Sequence, residues 1–551
     1  MSALASAGHT TTRRGHTGGN HATMWSRVAR GRAGFVALAC ALYLGAGVAA
    51  TWPAVQHART SFLADGEPGY GEAAPGDHLQ TLYHLWLVGH QLDHGHAPWR
   101  DPYSFRPESE PTLNFAGWPF GLPFWPLEAL LGEVGAWNAF VLLTYLAGGA
   151  LACLWLRELG LARGPALVGG LAFAIAPYRV AQSTGHLLGP ISILLPLALY
   201  ALERRRLALA VASVASIPLS GQVHLALGAV PFVCAYALVR RRDADAILVV
   251  GTVVAATVAA GLLVKTTTID HSQLANGRSL QAVGQYSARW GDLVDRHADS
   301  QPERFVFLGW ATPILALLGL ALLWRKQRGL AALLGVGAVV PILLALGTRT
   351  PLYSALWHAL PPFRYPRVPE RLLPIACLSI AALTGFAVAR SRRALAVPAV
   401  AVALLFVDLN VHLYGASAAD EHNRAYDALR AAPPGRLLEL PVFFPDLHYG
   451  SVYVYYDMRA RRERPAGYSS VAPRVAYQPL TELVSANCGR LGGGQLATLH
   501  RLGVRYLAVH RALFRFRRQQ RQSCTPPPPG LRIRTLPRLA RDHGVTMYKL
   551  P

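Results

Sequence analysis

Gly76-Asp77-His78-Leu79-Gln80 is the centre of a stretch, residues 66–125, that is rich in Asp, Glu, His, Trp and Pro and lies between two long apolar runs. A polar, aromatic segment placed between membrane spans is where chemistry on a membrane-borne molecule would sit. Asp77 is the candidate for its acidic centre. From Asp77 to His94, the residues Leu79, Leu82, Leu85, Trp86, Gly89 and Leu92 recur at helical spacing with polar residues opposite. That pattern predicts an amphipathic helix lying on the bilayer surface. Residues 118–131 (Trp118-Pro119-Phe120-Gly121 onward) are too Pro-rich and too short to span simply, and read as a second membrane-surface piece.

Working outward, the composition sets the class. The chain has 551 residues, 52% hydrophobic and only 15% charged, which is too apolar for a soluble enzyme of this size. Apolar runs at 33–52, 136–156, 165–181, 187–202, 207–222, 223–239, 247–264, 305–324, 330–346, 372–389 and 395–413 predict about eleven transmembrane helices, each near the ~20 residues a bilayer needs, some shorter. The net charge of +23 would suggest nucleic acid in a soluble protein. Here the basic clusters instead follow the spans. Arg157/Arg163, Arg204-Arg205-Arg206, Arg240-Arg241-Arg242, Arg325-Lys326/Arg328 and Arg390/Arg392-Arg393 all fall on the side of the N-terminus, the positive-inside pattern. No nucleic-acid partner is expected.

This fixes an expected organisation. Residues 1–32 read as a disordered cytoplasmic tail, and 33–414 as the transmembrane domain, with an uncleaved first helix and a first outer loop at 53–135. Residues 415–551 would be an extracytoplasmic α/β domain on the same face as that loop. In this last region 436–440, 452–456 and 506–510 read as strands and 495–502 as a helix. It carries 21 Lys+Arg against 9 Asp+Glu, which suits anionic head groups or phosphates. Cys40, Cys153, Cys234 and Cys377 sit in apolar runs as small fillers, whereas Cys488 and Cys524 lie in polar sequence and are a candidate disulfide in an oxidising compartment.

The long first outer loop with its acid, the span number and the outer C-terminal region resemble the GT-C superfamily of membrane glycosyltransferases, and among them polytopic GT-C-like proteins of bacteria. The stretches that carry the resemblance are Gly76-Asp77 through Trp86, Ala176-Pro177-Tyr178-Arg179 with Gly185-His186-Leu187, Pro362-Phe363-Arg364 through Arg371, and Leu502-Gly503-Val504-Arg505-Tyr506 with Val509-His510. The resemblance implies a polyprenyl-phosphate-linked sugar donor, attack by an acceptor hydroxyl at the anomeric carbon, and a first-loop carboxylate as general base. The loop has no Asp-x-Asp pair, and Asp77 is followed by His78 rather than by a second acid.

The resulting expectation is an integral glycosyltransferase of the bacterial cytoplasmic (inner) membrane, N-terminus inside, acting on a cell-envelope glycan or lipid acceptor at the outer face. A lipid-linked-saccharide flippase and a non-catalytic envelope-assembly protein are the alternatives. Asp77 is the expected base, or else the N-cap of its helix, with Glu67, Glu72 and Asp101 in reserve. Arg179 with His186, and Arg364, Arg367 and Arg371, are the expected phosphate binders, since an Arg fork holds two phosphate oxygens. No cofactor or metal site is indicated: His90 and His94 at i, i+4, with His96 nearby, read as the polar face of an interfacial helix, and Gly492-Gly493-Gly494 as a flexible loop. Asp408, a carboxylate near the end of the last apolar run, faces either a cavity or water.

The orientation is testable directly. After reduction, Cys488 or Cys524 in intact cells should react with a membrane-impermeant thiol reagent; labelling only after permeabilisation would overturn the orientation.

Overall fold

The structure is a computed structural model that describes residues 18–107, 112–241, 244–297, 302–390, 396–520 and 529–551. It is a polytopic helical membrane protein. Among the described residues six helices are long and apolar enough to cross a bilayer: Arg32–Ala50, Gly121–Glu158, Val223–Arg240, Ala244–His271, Arg328–Ala345 and Pro369–Val388. Four shorter apolar helices accompany them, Leu188–Glu203, Leu207–Leu219, Ala311–Trp324 and Ala396–Asp408.

The first helix, α1 (Gly18–Ala50), starts before the apolar run, so 18–32, expected as disordered tail, continue its backbone ladder; residues 1–17 lie outside the described residues. Arg242, Arg392, Arg393 and Cys524 lie outside them as well, and Cys488 is disulfide-bonded. Helix α2 (Asp77–Asp93) follows, and then α3 (Gly121–Glu158), which breaks at Gly132 (φ 69°, ψ 178°), where only a glycine accepts the left-handed φ without strain. The expected surface piece is thus the N-terminal arm of α3, before that break.

Small residues let the helices approach. A Cβ on Gly319 would collide with the Leu383 carbonyl, so the helix Ala311–Trp324 lies directly on the backbone of Leu373–Val388. The latter is the central helix, with nearly every residue buried. This is close packing of the kind that drives helix association in lipid. Asp408 faces neither a cavity nor water: it is buried, and its oxygens accept from the backbone N–H groups of Trp310, Ala311 and Thr312 at 2.8–3.0 Å and from the Thr312 hydroxyl at 2.6 Å. It caps a helix almost a hundred residues earlier in the chain. One carboxylate thereby satisfies three of the donors that every helix start leaves open.

Two features join the loop after α1 to the C-terminal segment. Residues Ser61–Ala64 pair antiparallel with Gly415–Ala418, Phe62 opposite Ser417. The segment itself holds a four-stranded sheet in the order Arg436–Leu440, Val504–His510, Val545–Lys549, Arg538–Arg541, the first pair parallel and the rest antiparallel. The expected strands 436–440 and 506–510 and the expected helix 495–502 (Gly493–Arg501) are present. Residues 452–456 are not a strand. They form the helix Ser451–Ala460, in which all residues but Arg459 are buried, so their β-branched and aromatic character serves packing on every side rather than alternation across a sheet.

That helix also corrects the reading of α2. Rather than lying free on a surface, α2 packs against both α3 and Ser451–Ala460, with twelve of its 17 residues buried, and Gln80, Thr81 and His84 of its polar face line a cavity.

Asp408→Ala should lower the stability of the detergent-solubilised protein by about 1–2 kcal/mol, and Asp408→Asn by less, because the amide oxygen still accepts. Equal unfolding temperatures for Asp408→Ala and the wild type would refute the cap.

Candidate active site

Asp77 occupies the first turn of α2, whose N-cap is Gly76 and has no side-chain cap bond. Its carboxylate is not a cap. Oδ2 accepts from Nε2 of His186 at 2.7 Å, and Oδ1 accepts from the Tyr468 hydroxyl at 2.5 Å. The surroundings fix these three residues. Gln80 donates to the Tyr468 carbonyl at 2.7 Å, Thr81 donates to the Gly185 carbonyl at 2.7 Å, and the Gly76 N–H donates to Ser451 Oγ at 3.1 Å. One helical turn of α2 therefore holds both the turn 182–187 and the C-terminal segment.

Burial alone would raise the pKa of Asp77. The hydrogen bond and charge of His186, then the Tyr468 hydroxyl and the charge of His448, outweigh it and hold the carboxyl well below its ordinary value.

A cavity of about 270 Å³ opens beside this cluster, lined by Asp77, His186 and Tyr468, by His84 and Asp101, and by Arg367 and Arg371. Leu113, Phe115, Leu219, Val264 and Ile269 form its apolar wall. The site thus combines a carboxylate–imidazole pair, guanidinium groups and a greasy surface. Arg367 lies 3.9 Å from Glu303 and stacks 4.5 Å over the Tyr286 ring, and its backbone N–H donates to His224 Nε2. The buried Nε of Arg371 has no partner among the described residues, and the same is true of Arg278. Burial, with the charges of Arg367 and Arg371, pushes the Arg278 pKa down to about 10. Arg367 and Arg371 add like charge to Arg278, only partly offset by Glu303 beside Arg367, and an anion among them would offset it further.

Two of the expected phosphate binders stand elsewhere. Arg179 is buried, with Nη1 on the Ala174 carbonyl at 2.7 Å, Nη2 on the Thr144 carbonyl at 2.8 Å and Nε on Ser192 Oγ at 3.0 Å. The reason is local. The expected span 165–181 is interrupted: Arg163–Ala174 ends, Pro177 starts the short helix Pro177–Ala181, and Arg179 satisfies a carbonyl that the break leaves open. Arg364 donates to the Trp357 and His358 carbonyls at 3.2 and 3.3 Å and does not line the cavity.

The reserve acids divide. Glu67 is exposed. Glu72 is fully buried, accepting from His510 at 2.5 Å and from the Ala512 N–H at 3.0 Å, a tie between the loop and the sheet. Asp101 lines the cavity and accepts from the Tyr83 hydroxyl and two backbone N–H groups; burial outweighs these and raises its pKa. His78 is buried behind Asp77 against Phe62 and Trp137. His90 bonds Tyr103, His94 the His90 carbonyl, and His96 Gln91. Tyr468 and Arg278 were not foreseen; each lies in an irregular stretch far along the chain from Asp77, with no motif around it.

No family model matches the chain, and no curated protein does. Solved structures do. A mutant of the arabinofuranosyltransferase AftD from Mycobacteria, a GT-C superfamily membrane glycosyltransferase, superposes with TM-score 0.51 at 17% identity over 86% of this chain and 36% of that one. The fold is GT-C-like. The oligosaccharyltransferase of Archaeoglobus fulgidus (TM-score 0.49, 12% identity, 87% of this chain and 69% of that one) and ArnT from Cupriavidus metallidurans bound to undecaprenyl phosphate (0.37, 14%, 96% and 98%) also match.

Within this GT-C-like fold Arg179 belongs to the scaffold. Arg179→Ala should destabilise the protein by about 1–3 kcal/mol, the cost of a buried group left without its partner. It should leave the affinity of the folded fraction for polyprenyl phosphate unchanged. An unaltered unfolding temperature combined with lost affinity would return Arg179 to the binding site.

Proposed function

We propose that the protein is a membrane glycosyltransferase that moves a sugar from a polyprenyl-phosphate-linked donor to a cell-envelope acceptor at the outer face of a bacterial inner membrane, with about eleven spans and residues 415–551 as an extracytoplasmic domain. One observation carries the reading: the Asp77–His186 pair shares a single cavity with Arg367 and Arg371 and an apolar wall. That juxtaposition suits a donor that is at once lipid, phosphate and sugar.

The chemistry follows from the charges. As the bond from the anomeric carbon to the phosphate oxygen breaks, negative charge grows on the phosphate, and Arg367 and Arg371 sit where guanidinium forks can take it up. The acceptor hydroxyl becomes a better nucleophile as it loses its proton, and the Asp77–His186 pair is placed to receive that proton. The apolar wall accommodates isoprene units. Arg278, which does not line the cavity but is near enough for the charges of Arg367 and Arg371 to act on it, adds positive potential to the phosphate subsite.

Two sets of variants test the reading. Arg367→Ala and Arg371→Ala should weaken binding of undecaprenyl phosphate, with a loss that grows smaller at high salt, where exposed charges are screened anyway. Asp77→Asn should fold and bind the lipid, yet lose on the order of 10²–10⁴ in transfer rate. Unchanged lipid affinity in both arginine variants would remove the phosphate subsite. A fully active Asp77→Asn protein would remove the pair from the reaction.

A further inference from the structure

Both oxygens of Asp77 are already engaged, one by the His186 imidazole at 2.7 Å and one by the Tyr468 hydroxyl at 2.5 Å. A carboxylate that faces an N–H accepts, so His186 carries its proton on Nε2 and its lone pair on Nδ1. Among the described residues Nδ1 has no hydrogen-bond partner, and the His186 side chain is 22% exposed at the cavity. The ring cannot drift, because the turn that carries it is fixed by the bond from Thr81 to the Gly185 carbonyl at 2.7 Å. We infer that His186, through Nδ1, is the group that takes the acceptor's proton, and that Asp77 is its positioning residue. The inference rests on the transferase reading of this cavity.

The alternatives differ in what the proton disturbs. A proton placed on Asp77 would neutralise the acceptor of two short hydrogen bonds at once. A proton placed on Nδ1 creates an imidazolium whose other N–H already points at a carboxylate, so the new charge is paired as it forms. The strongly lowered pKa of Asp77 points the same way, since a carboxylate held so firmly in its ionised form is a weak base.

The step balances. The acceptor oxygen bonds to the anomeric carbon, its proton moves to Nδ1, and the bond from that carbon to the phosphate oxygen breaks. Its electron pair leaves with polyprenyl phosphate, whose added charge faces Arg367 and Arg371. Tyr468 holds the second oxygen of Asp77 throughout.

The titratable and charged groups that share the cavity with His186 are Asp77, Tyr83 and His84 from α2, Asp101 from the loop after it, Tyr468 from the C-terminal segment, and Arg367 and Arg371 from the stretch before the central helix, while the charge of His448 acts on Asp77. Of these, burial pushes His84 down to about 4, so it does not titrate near neutrality.

The experiment is the pH profile of kcat/KM for the full-length protein in vesicles, supplied with a panel of synthetic polyprenyl-phosphate pentoses and hexoses and an envelope extract as acceptor. The wild type should lose activity on the acidic side, where solvent protons occupy the Nδ1 lone pair. His186→Gln should lower kcat/KM by about 10²–10⁴-fold at pH 8, remove that limb and keep undecaprenyl phosphate affinity. Asp77→Asn should keep an acidic limb but move it to lower pH, because an imidazolium without its carboxylate partner holds its proton less firmly. A limb in the carboxylate range that survives His186→Gln and vanishes in Asp77→Asn would make Asp77 the base and overturn the assignment. A wild-type protein that binds undecaprenyl phosphate but transfers no sugar from the panel overturns the transferase reading itself, and the assignment with it.

Discussion

The Asp77 carboxylate, held between His186 and Tyr468, is the constraint on which the site depends. The three residues are separated by 109 and 391 positions in the chain, and they come from a helix, a turn between apolar helices and the C-terminal segment. Charge-assisted bonds of this length are roughly twice as strong as neutral ones. They do not hold the fold together alone. The antiparallel pairing of Ser61–Ala64 with Gly415–Ala418 and the buried Glu72–His510 pair lock the same loop to the same segment from the other side. The cavity floor is therefore built from parts that cannot move independently.

Elsewhere in the scaffold, several buried charged groups are met by backbone or side-chain partners. Arg179 answers the Ala174 carbonyl at a helix break and the Thr144 carbonyl of α3, and Asp408 answers N–H groups freed by a helix start. In the C-terminal segment Arg464, fully buried, meets Glu439 at 2.5 Å and also pairs with Asp457. Arg278 and Arg371 each keep a buried Nε without a hydrogen-bond partner among the described residues. Arg371 lines the cavity, where an anionic ligand would complete it.

Much of this could be read from the sequence, and the rest fails for identifiable reasons. The apolar periodicity of 77–94 gave a helix beginning at Asp77, and the polar loop around it marked the cavity. Its amphipathic pattern could not say whether the helix met head groups or another part of the chain; it packs against the helix Ser451–Ala460, which reads as a strand in the sequence because Val and Tyr are strand-formers when packing does not intervene. His186 and Arg367 were recognisable as basic residues near span ends, but Arg179 has the same signature and a place in the scaffold, decided by a break at Pro177 whose consequence is three-dimensional. Tyr468 left no signal, since its partner lies almost four hundred residues away. The GT-C-like architecture was legible because it is written in hydropathy and loop length, which a single sequence displays.

The central claim is that the cavity beside Asp77 and His186 receives a lipid-linked phosphate. Determining the structure of the protein with undecaprenyl phosphate tests it most directly. The account predicts the phosphate oxygens within hydrogen-bond distance, about 3 Å, of the Arg367 or Arg371 guanidinium, with the lipid along Leu113, Phe115 and Ile269. A phosphate bound away from both arginines, with the cavity beside Asp77 left to solvent, would contradict it.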